Sequence, residues 1–179
     1  MERPQRKKNR LERYDYSRAG YYFVTICAKD KAELFWNPSA GTVFGHAPTV
    51  GADMIRPPSP HLSSCGRIVE RAIQNIPIHY PNVSVEKYVV MPNHVHMILA
   101  IALEDGRIIS APTKPVPIIV GQMKRYASKC AGMPLWQKSY HDHIIRNDAD
   151  FRRIWDYIDT NPAGWREDRY YTESTEETP

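Results

Sequence analysis

Two apolar runs meet at a short polar break in mid-chain: Tyr88-Val89-Val90-Met91, then Pro92-Asn93, then His94-Val95-His96-Met97-Ile98-Leu99-Ala100-Ile101. Side chains alternate faces in an extended chain and return every 3.6 residues in a helix, and these two periods divide the sequence into elements. Tyr21-Tyr22-Phe23-Val24-Thr25-Ile26-Cys27, aromatic and β-branched after Gly20, predicts a first strand over about 21–29. From Gly66, the residues Ile68, Val69, Ala72, Ile73 and Ile76 recur at helical spacing, with Ser63 or Ser64 as cap and Pro77 near the end. Strands over 83–92 and 93–101 follow, joined by the Pro92-Asn93 turn. A helix over about 117–131 would turn Ile118, Ile119, Met123, Tyr126 and Ala127 inward and Lys124, Arg125 and Lys129 outward. A fourth strand over 139–146 leads to a helix over 148–161, started by Asn147 or Asp148 and stopped by Pro162.

The order β-α-β-β-α-β-α defines an α+β fold. It is a ferredoxin-like β-α-β-β-α-β core with an antiparallel sheet, plus a C-terminal tyrosine-bearing helix. Its helices are expected on one face of the sheet, with the other face free for a ligand. Pro, Gly and Ser crowd residues 37–62 without any period, so that stretch reads as an insertion; residues 111–117 read as a Pro-rich linker. Domain organisation is therefore a basic N-terminal arm over 1–20, one domain over 21–165, and an acidic tail over 166–179.

Alternation places His94 and His96 on one strand face while Val95, Met97, Leu99 and Ile101 fill the other. Isolated strand histidines are usually satisfied by neighbours or water. Here valine would serve the sheet equally well, which favours a two-point metal clamp on a stiff support. On the last helix, at about 100° per residue, Phe151, Ile154, Trp155 and Ile158 form one stripe, and Tyr157 lies roughly 110° from its centre. Asn161 flanks Tyr157 one turn on, and Arg153 and Asp150 share that polar edge.

Composition narrows the class. With 179 residues, 42% hydrophobic and 25% charged, the chain can fill one core but not two comfortable ones. Cys27, Cys65 and Cys130 are scattered and odd in number, which indicates neither a disulfide framework nor a thiolate zinc site. The basic start lacks the apolar segment of a secretory signal, and no run reaches membrane-spanning length, so a cytoplasmic protein without membrane contact is expected. Net charge is only +4, but Arg3, Arg6, Lys7, Lys8, Arg10 and Arg13 concentrate it at one end, where a polyanion would be met.

Three blocks in order then resemble one known group. They are Tyr14-Asp15-Tyr16-Ser17 with Gly20-Tyr21-Tyr22-Phe23-Val24-Thr25; Met91-Pro92-Asn93-His94-Val95-His96; and Trp136-Gln137-Lys138-Ser139-Tyr140 through Asp142-His143-Ile144-Ile145-Arg146 to Tyr157-Ile158 and Asn161-Pro162. The chain resembles the single-tyrosine HUH transposases, and within them the REP-associated tyrosine transposases, over residues 11–165. The resemblance implies a single-stranded DNA transposase or recombinase that nicks and joins at hairpin repeats. Tyr157 matches the nucleophile that forms a 5′-phosphotyrosine. His94 and His96 match holders of a divalent ion, Mg²⁺ or Mn²⁺, and Asn161 matches the third ligand. The implied partner is single-stranded or hairpin DNA, met by a monomer or a homodimer.

Arg10, Arg13, Tyr16, Lys124, Arg125, Arg146 and Arg153 are the candidate DNA contacts, as phosphate-binding cations and a base-stacking ring. His141 and His143 form a second spaced pair, read as sheet-surface or DNA-facing, while His46, His61 and His79 have no partner in register. Two alternatives stand beside this reading. A histidine-triad hydrolase would need a third histidine where Ile98 stands; a non-catalytic hairpin-binding descendant of a transposase would have no need of Tyr157, His94, His96 and Asn161.

Overall fold

The computed structural model describes residues 14–37, 62–102 and 115–171. Arg10, Arg13, most of the 37–62 excursion and most of the 111–117 linker lie outside them. Among the described residues, four strands and four helices follow in the order β1 (Gly20–Cys27), α1 (Ser64–Gln74), α2 (Ile76–His79), β2 (Val83–Val90), β3 (His94–Ile101), α3 (Val116–Ala131), β4 (His141–Ile145) and α4 (Asp148–Thr160). Short 3-10 turns occupy Lys29–Lys31 and Trp165–Glu167.

The strands pair antiparallel in the order β2-β3-β1-β4, the ferredoxin-like arrangement. Local chemistry sets the helix ends. The Ser63 hydroxyl accepts a hydrogen bond from Gly66 N at 3.0 Å, and Asn147 Oδ1 accepts one from Asp150 N at 2.9 Å, each satisfying an amide that the helix leaves open. Gly132, at φ +68°, ends α3 in the left-handed region. Gly66 has a different reason to be glycine: a Cβ there would stand 2.1 Å from the Phe35 carbonyl oxygen.

Register sorts the two faces. Val95, Met97, Leu99 and Ile101 of β3 and Tyr22, Val24 and Ile26 of β1 join Val69, Ala72 and Ile73 of α1 and Ile119, Val120 and Met123 of α3 in the main core. The opposite face carries Phe23, Thr25, His94, His96 and Ile98, and it is not left open. Ile154 and Ile158 of α4, with Trp165 and Tyr170 beyond it, bury it in a second core. The predicted stripe on α4 is therefore an apolar contact with the sheet, and it closes the face expected to stay free.

On α3, Ile118 and Tyr126 are exposed at 41% and 42%, not inward, and Val116 and Val120 take the buried positions. The buried positions 116, 119, 120, 123 and 127 recur at the helical period, and Ile118 and Tyr126 fall off that stripe.

A buried histidine pair beneath the tyrosine helix

Strand β3 delivers both imidazoles to one point. His94 and His96 are each 0% exposed, and their Nε2 atoms stand 3.0 Å apart. Thr25, opposite His96 on β1, meets its Nδ1 at 2.8 Å; Asn93 Oδ1 meets His94 Nδ1 at 2.9 Å. Burial pushes the His94 pKa down to about 4, against the raising charge of Asp168, and burial followed by the charge of His94 holds His96 well below its usual range. Both rings are thus neutral at physiological pH, the form that can offer a lone pair.

Helix α4 brings the phenol. Tyr157, 37% exposed, places its Oη 3.2 Å from His96 Nε2, with the rings 5.2 Å apart edge to face. The same hydroxyl donates to Asp168 Oδ2 at 3.3 Å, which also accepts from Asn161 Nδ2 at 2.9 Å. Burial, then the Asp168 charge, pushes the Tyr157 pKa up to about 12, with Arg169 opposing.

Asp168 escaped the sequence reading, which counts residues 166–171 with the acidic tail. These residues fold back over the histidines. The rings of Trp165 and Tyr170 lie tilted against His94 at 6.0 and 4.6 Å, Asn93 Nδ2 donates to the Tyr170 carbonyl at 2.8 Å, and Asp168 Oδ1 accepts from Tyr170 N at 2.7 Å. A carboxylate oxygen of Asp168 and one ring nitrogen from each of His94 and His96 lie within 4.8 Å of one another, so these three residues can hold a metal ion. The aromatic residues around Asp168 were the available signal: Trp165, Tyr170 and Tyr171 are unusual in a tail meant only to stay solvated.

The structure scatters the candidate DNA contacts. Tyr16 is only 7% exposed and packs with Tyr14 and Tyr22 in the main core, so its ring offers no platform for a base. Lys124 is half-buried, and its Nζ donates to the carbonyls of Gln137 and Ser139, a structural tie that leaves little for a phosphate. Arg125 and Arg146 are exposed. Arg153 pairs with Asp150, which also binds His143 at 2.6 Å, so the Asp150–Arg153 edge forms a cluster with β4 while Tyr157 and Asn161 converge on Asp168. His141 lies across Thr25 from His96 on the same sheet face, and it is exposed.

A ferredoxin-like sheet thus brings paired histidines against a helical tyrosine. Comparison with known proteins gives this arrangement its setting. No family model matches the chain. An uncharacterized protein of Haemophilus influenzae is 30% identical over 186 residues, covering 94% of each chain. The REP-associated tyrosine transposase of Escherichia coli is 30% identical over 83 residues, 45% of this chain and 46% of that one. A solved REP-associated tyrosine transposase, bound to a REP hairpin, shares the fold with a TM-score of 0.58 at 20% identity, over 87% of this chain and 73% of that one. The chain is thus similar in sequence to proteins named REP-associated tyrosine transposases and shares the fold of one of them.

Proposed function

We propose that this chain nicks and joins single-stranded DNA at hairpin repeat elements, with Tyr157 as nucleophile. A divalent ion, Mg²⁺ or Mn²⁺, would be held by His94, His96, Asn161 and Asp168. One observation carries the reading: Tyr157 Oη lies 3.2 Å from His96 Nε2, although the two residues are 61 positions apart. An ordinary solvated tyrosine has no reason to meet a buried imidazole.

The donor set fits an ion. Two ligand atoms about 2.1 Å from one metal at a right angle stand about 3.0 Å apart, and the two Nε2 atoms are 3.0 Å apart. Asn161 Oδ1 is buried without a hydrogen-bond partner among the described residues, an oxygen that a cation would satisfy. Imidazole, amide and carboxylate donors without thiolate suit several divalent metals, so affinity alone does not choose among them. When bound, the ion would polarise the scissile phosphate and offset the charge that develops on it.

The residues do the rest. A phenol with a pKa near 12 is neutral at physiological pH, and its hydrogen bond to Asp168 directs the proton to a carboxylate while Oη is freed for attack. The Oη–P bond forms and the P–O3′ bond breaks. The phenol proton leaves, the departing 3′ oxygen takes one up, and a 5′-phosphotyrosine and a 3′-hydroxyl result. Because the phosphate remains an ester, that hydroxyl can reverse the step, which suits joining. His96 and Tyr157 of one chain touch, which supports a site assembled within a single copy.

Hairpin DNA as the substrate rests on the family and on the solved relative described as bound to a REP hairpin. The test is a denaturing gel with labelled single-stranded hairpins from sequences flanking the gene, in Mg²⁺ or Mn²⁺. The intact protein is expected to give a protein-linked strand. Tyr157→Phe should bind the hairpin equally and give no adduct, and His94→Ala should lose cleavage while keeping its affinity in chelator. Tight binding with no adduct under any metal would make the chain a non-catalytic hairpin binder instead.

A further inference from the structure

The outer nitrogens of the two histidines have different partners, and the difference has chemical content. Asn93 is 1% exposed, and its Nδ2 donates to two carbonyls, Lys31 O at 3.2 Å and Tyr170 O at 2.8 Å. Those contacts settle which end of the amide is oxygen, because a flipped amide would set Oδ1 against two acceptors. The oxygen therefore faces His94 Nδ1 at 2.9 Å and can only accept. His94 must carry its proton on Nδ1, which leaves a lone pair on Nε2.

That lone pair points at His96 Nε2 from 3.0 Å, so a proton or a cation has to lie between them. His96 has no such lock. Its Nδ1 partner is the Thr25 hydroxyl at 2.8 Å, which can donate or accept. Thr25 is 2% exposed and opposite His96 in the β1–β3 register, so the hydroxyl has little room to leave.

We propose that Asn93 and Thr25 are the positioning residues of the metal site, with unequal tasks. Asn93 holds the His94 Nε2 lone pair permanently toward the ion. Thr25 lets His96 exchange tautomers: in chelator His96 donates from Nε2 to His94 and accepts the Thr25 proton on Nδ1; with an ion, His96 loses the Nε2 proton to water, takes one from water on Nδ1, and donates it to Thr25 Oγ1. The ring is neutral before and after, so the exchange has no net proton cost. This rests on the proposed metal site, and it adds how that site is armed.

Long-range ¹H–¹⁵N spectra of the whole chain read the protonated nitrogen directly. In chelator the proton is expected on Nδ1 of His94 and on Nε2 of His96; after Zn²⁺ both rings should carry it on Nδ1. His94 protonated on Nε2 in chelator would overturn the role of Asn93. His96 binding Zn²⁺ through Nδ1 would overturn that of Thr25. If Zn²⁺ perturbs neither ring, the metal reading fails and the His96 exchange with it, whereas the His94 tautomer in chelator still decides Asn93.

Affinity gives a second arm that does not depend on DNA cleavage. Removing an outer partner of a metal-bound histidine costs about 10- to 100-fold in metal affinity. Thr25→Val should weaken Mn²⁺ binding, followed by the free-ion paramagnetic signal, by at least about tenfold, and Thr25→Ser should restore it. Equal affinity in a folded Thr25→Val variant would refute the assignment. Should that variant not fold, weakened Mn²⁺ binding by Thr25→Ser would do the same.

Discussion

At the scale of single residues, close packing decides more than residue type. Gly66 opens no turn; it exists because the Phe35 carbonyl passes where a side chain would be. Gly66→Ala is therefore expected to lower stability by about 3 kcal/mol, since the clash is with backbone that cannot rotate away. Urea unfolding with an unchanged slope measures it, and a loss below about 1 kcal/mol would mean that the loop carrying Phe35 yields easily. Tyr16 and Lys124 teach the reverse lesson. Both have the chemistry of DNA contacts, yet one fills the core and the other ties α3 to the Gln137 and Ser139 carbonyls.

At the scale of elements, α4 has two duties that its sequence shows as two edges. Ile154 and Ile158 seal the sheet face, and Tyr157 reaches the histidines from the border of that contact. Its first turn holds Asp150, whose pKa is lowered first by the hydrogen bond from His143 and then by that from Arg153. A lowered carboxylate stabilises the fold above its ordinary pKa and loses that contribution as pH falls through the lowered value. Asp150→Asn should accordingly be less stable than the parent at pH 6, with the gap closing in acid as the carboxyl protonates; a gap unchanged in acid would assign the effect to packing. Solvent exposure keeps the difference small.

Residues 165–171 are the other decisive element, because they place Asp168 in the site and cover both imidazoles. Diethylpyrocarbonate should modify exposed His141 and His143 in the intact chain and spare His94 and His96. Tyr170→Ala removes the ring that lies tilted against His94 at 4.6 Å, and the buried pair should then react at a rate approaching that of His141. Continued protection would show that Trp165 and α4 suffice as cover.

For the whole molecule, charge and fold must act together. The basic arm lies at one end of the sequence, and the exposed cations of the described residues include Arg125, Arg146, Arg152 and Arg166. If phosphate contacts dominate hairpin binding, the logarithm of affinity should fall linearly with the logarithm of salt concentration. Four single-strand contacts would give a slope of about −3. A flat dependence would point to recognition through bases. Among the described residues no helix is long and apolar enough to cross a membrane.

Much of this architecture was legible in one dimension. Period and turn chemistry marked all four strands, narrowed the caps to Ser63 or Ser64 and to Asn147 or Asp148, and gave the element order of a ferredoxin-like fold, because these are largely local features; the structure takes Ser63 and Asn147. His94, His96 and Tyr157 stood out because strand alternation and the helical stripe are local properties too. What only the tertiary structure decided is which distant groups share space. Register between β1 and β3 brings Thr25 to His96, an inward-folding segment brings Asp168 under Tyr157, and burial removes Tyr16 from any surface. Local pattern reports which face a side chain leaves by; only packing reports what waits on the other side.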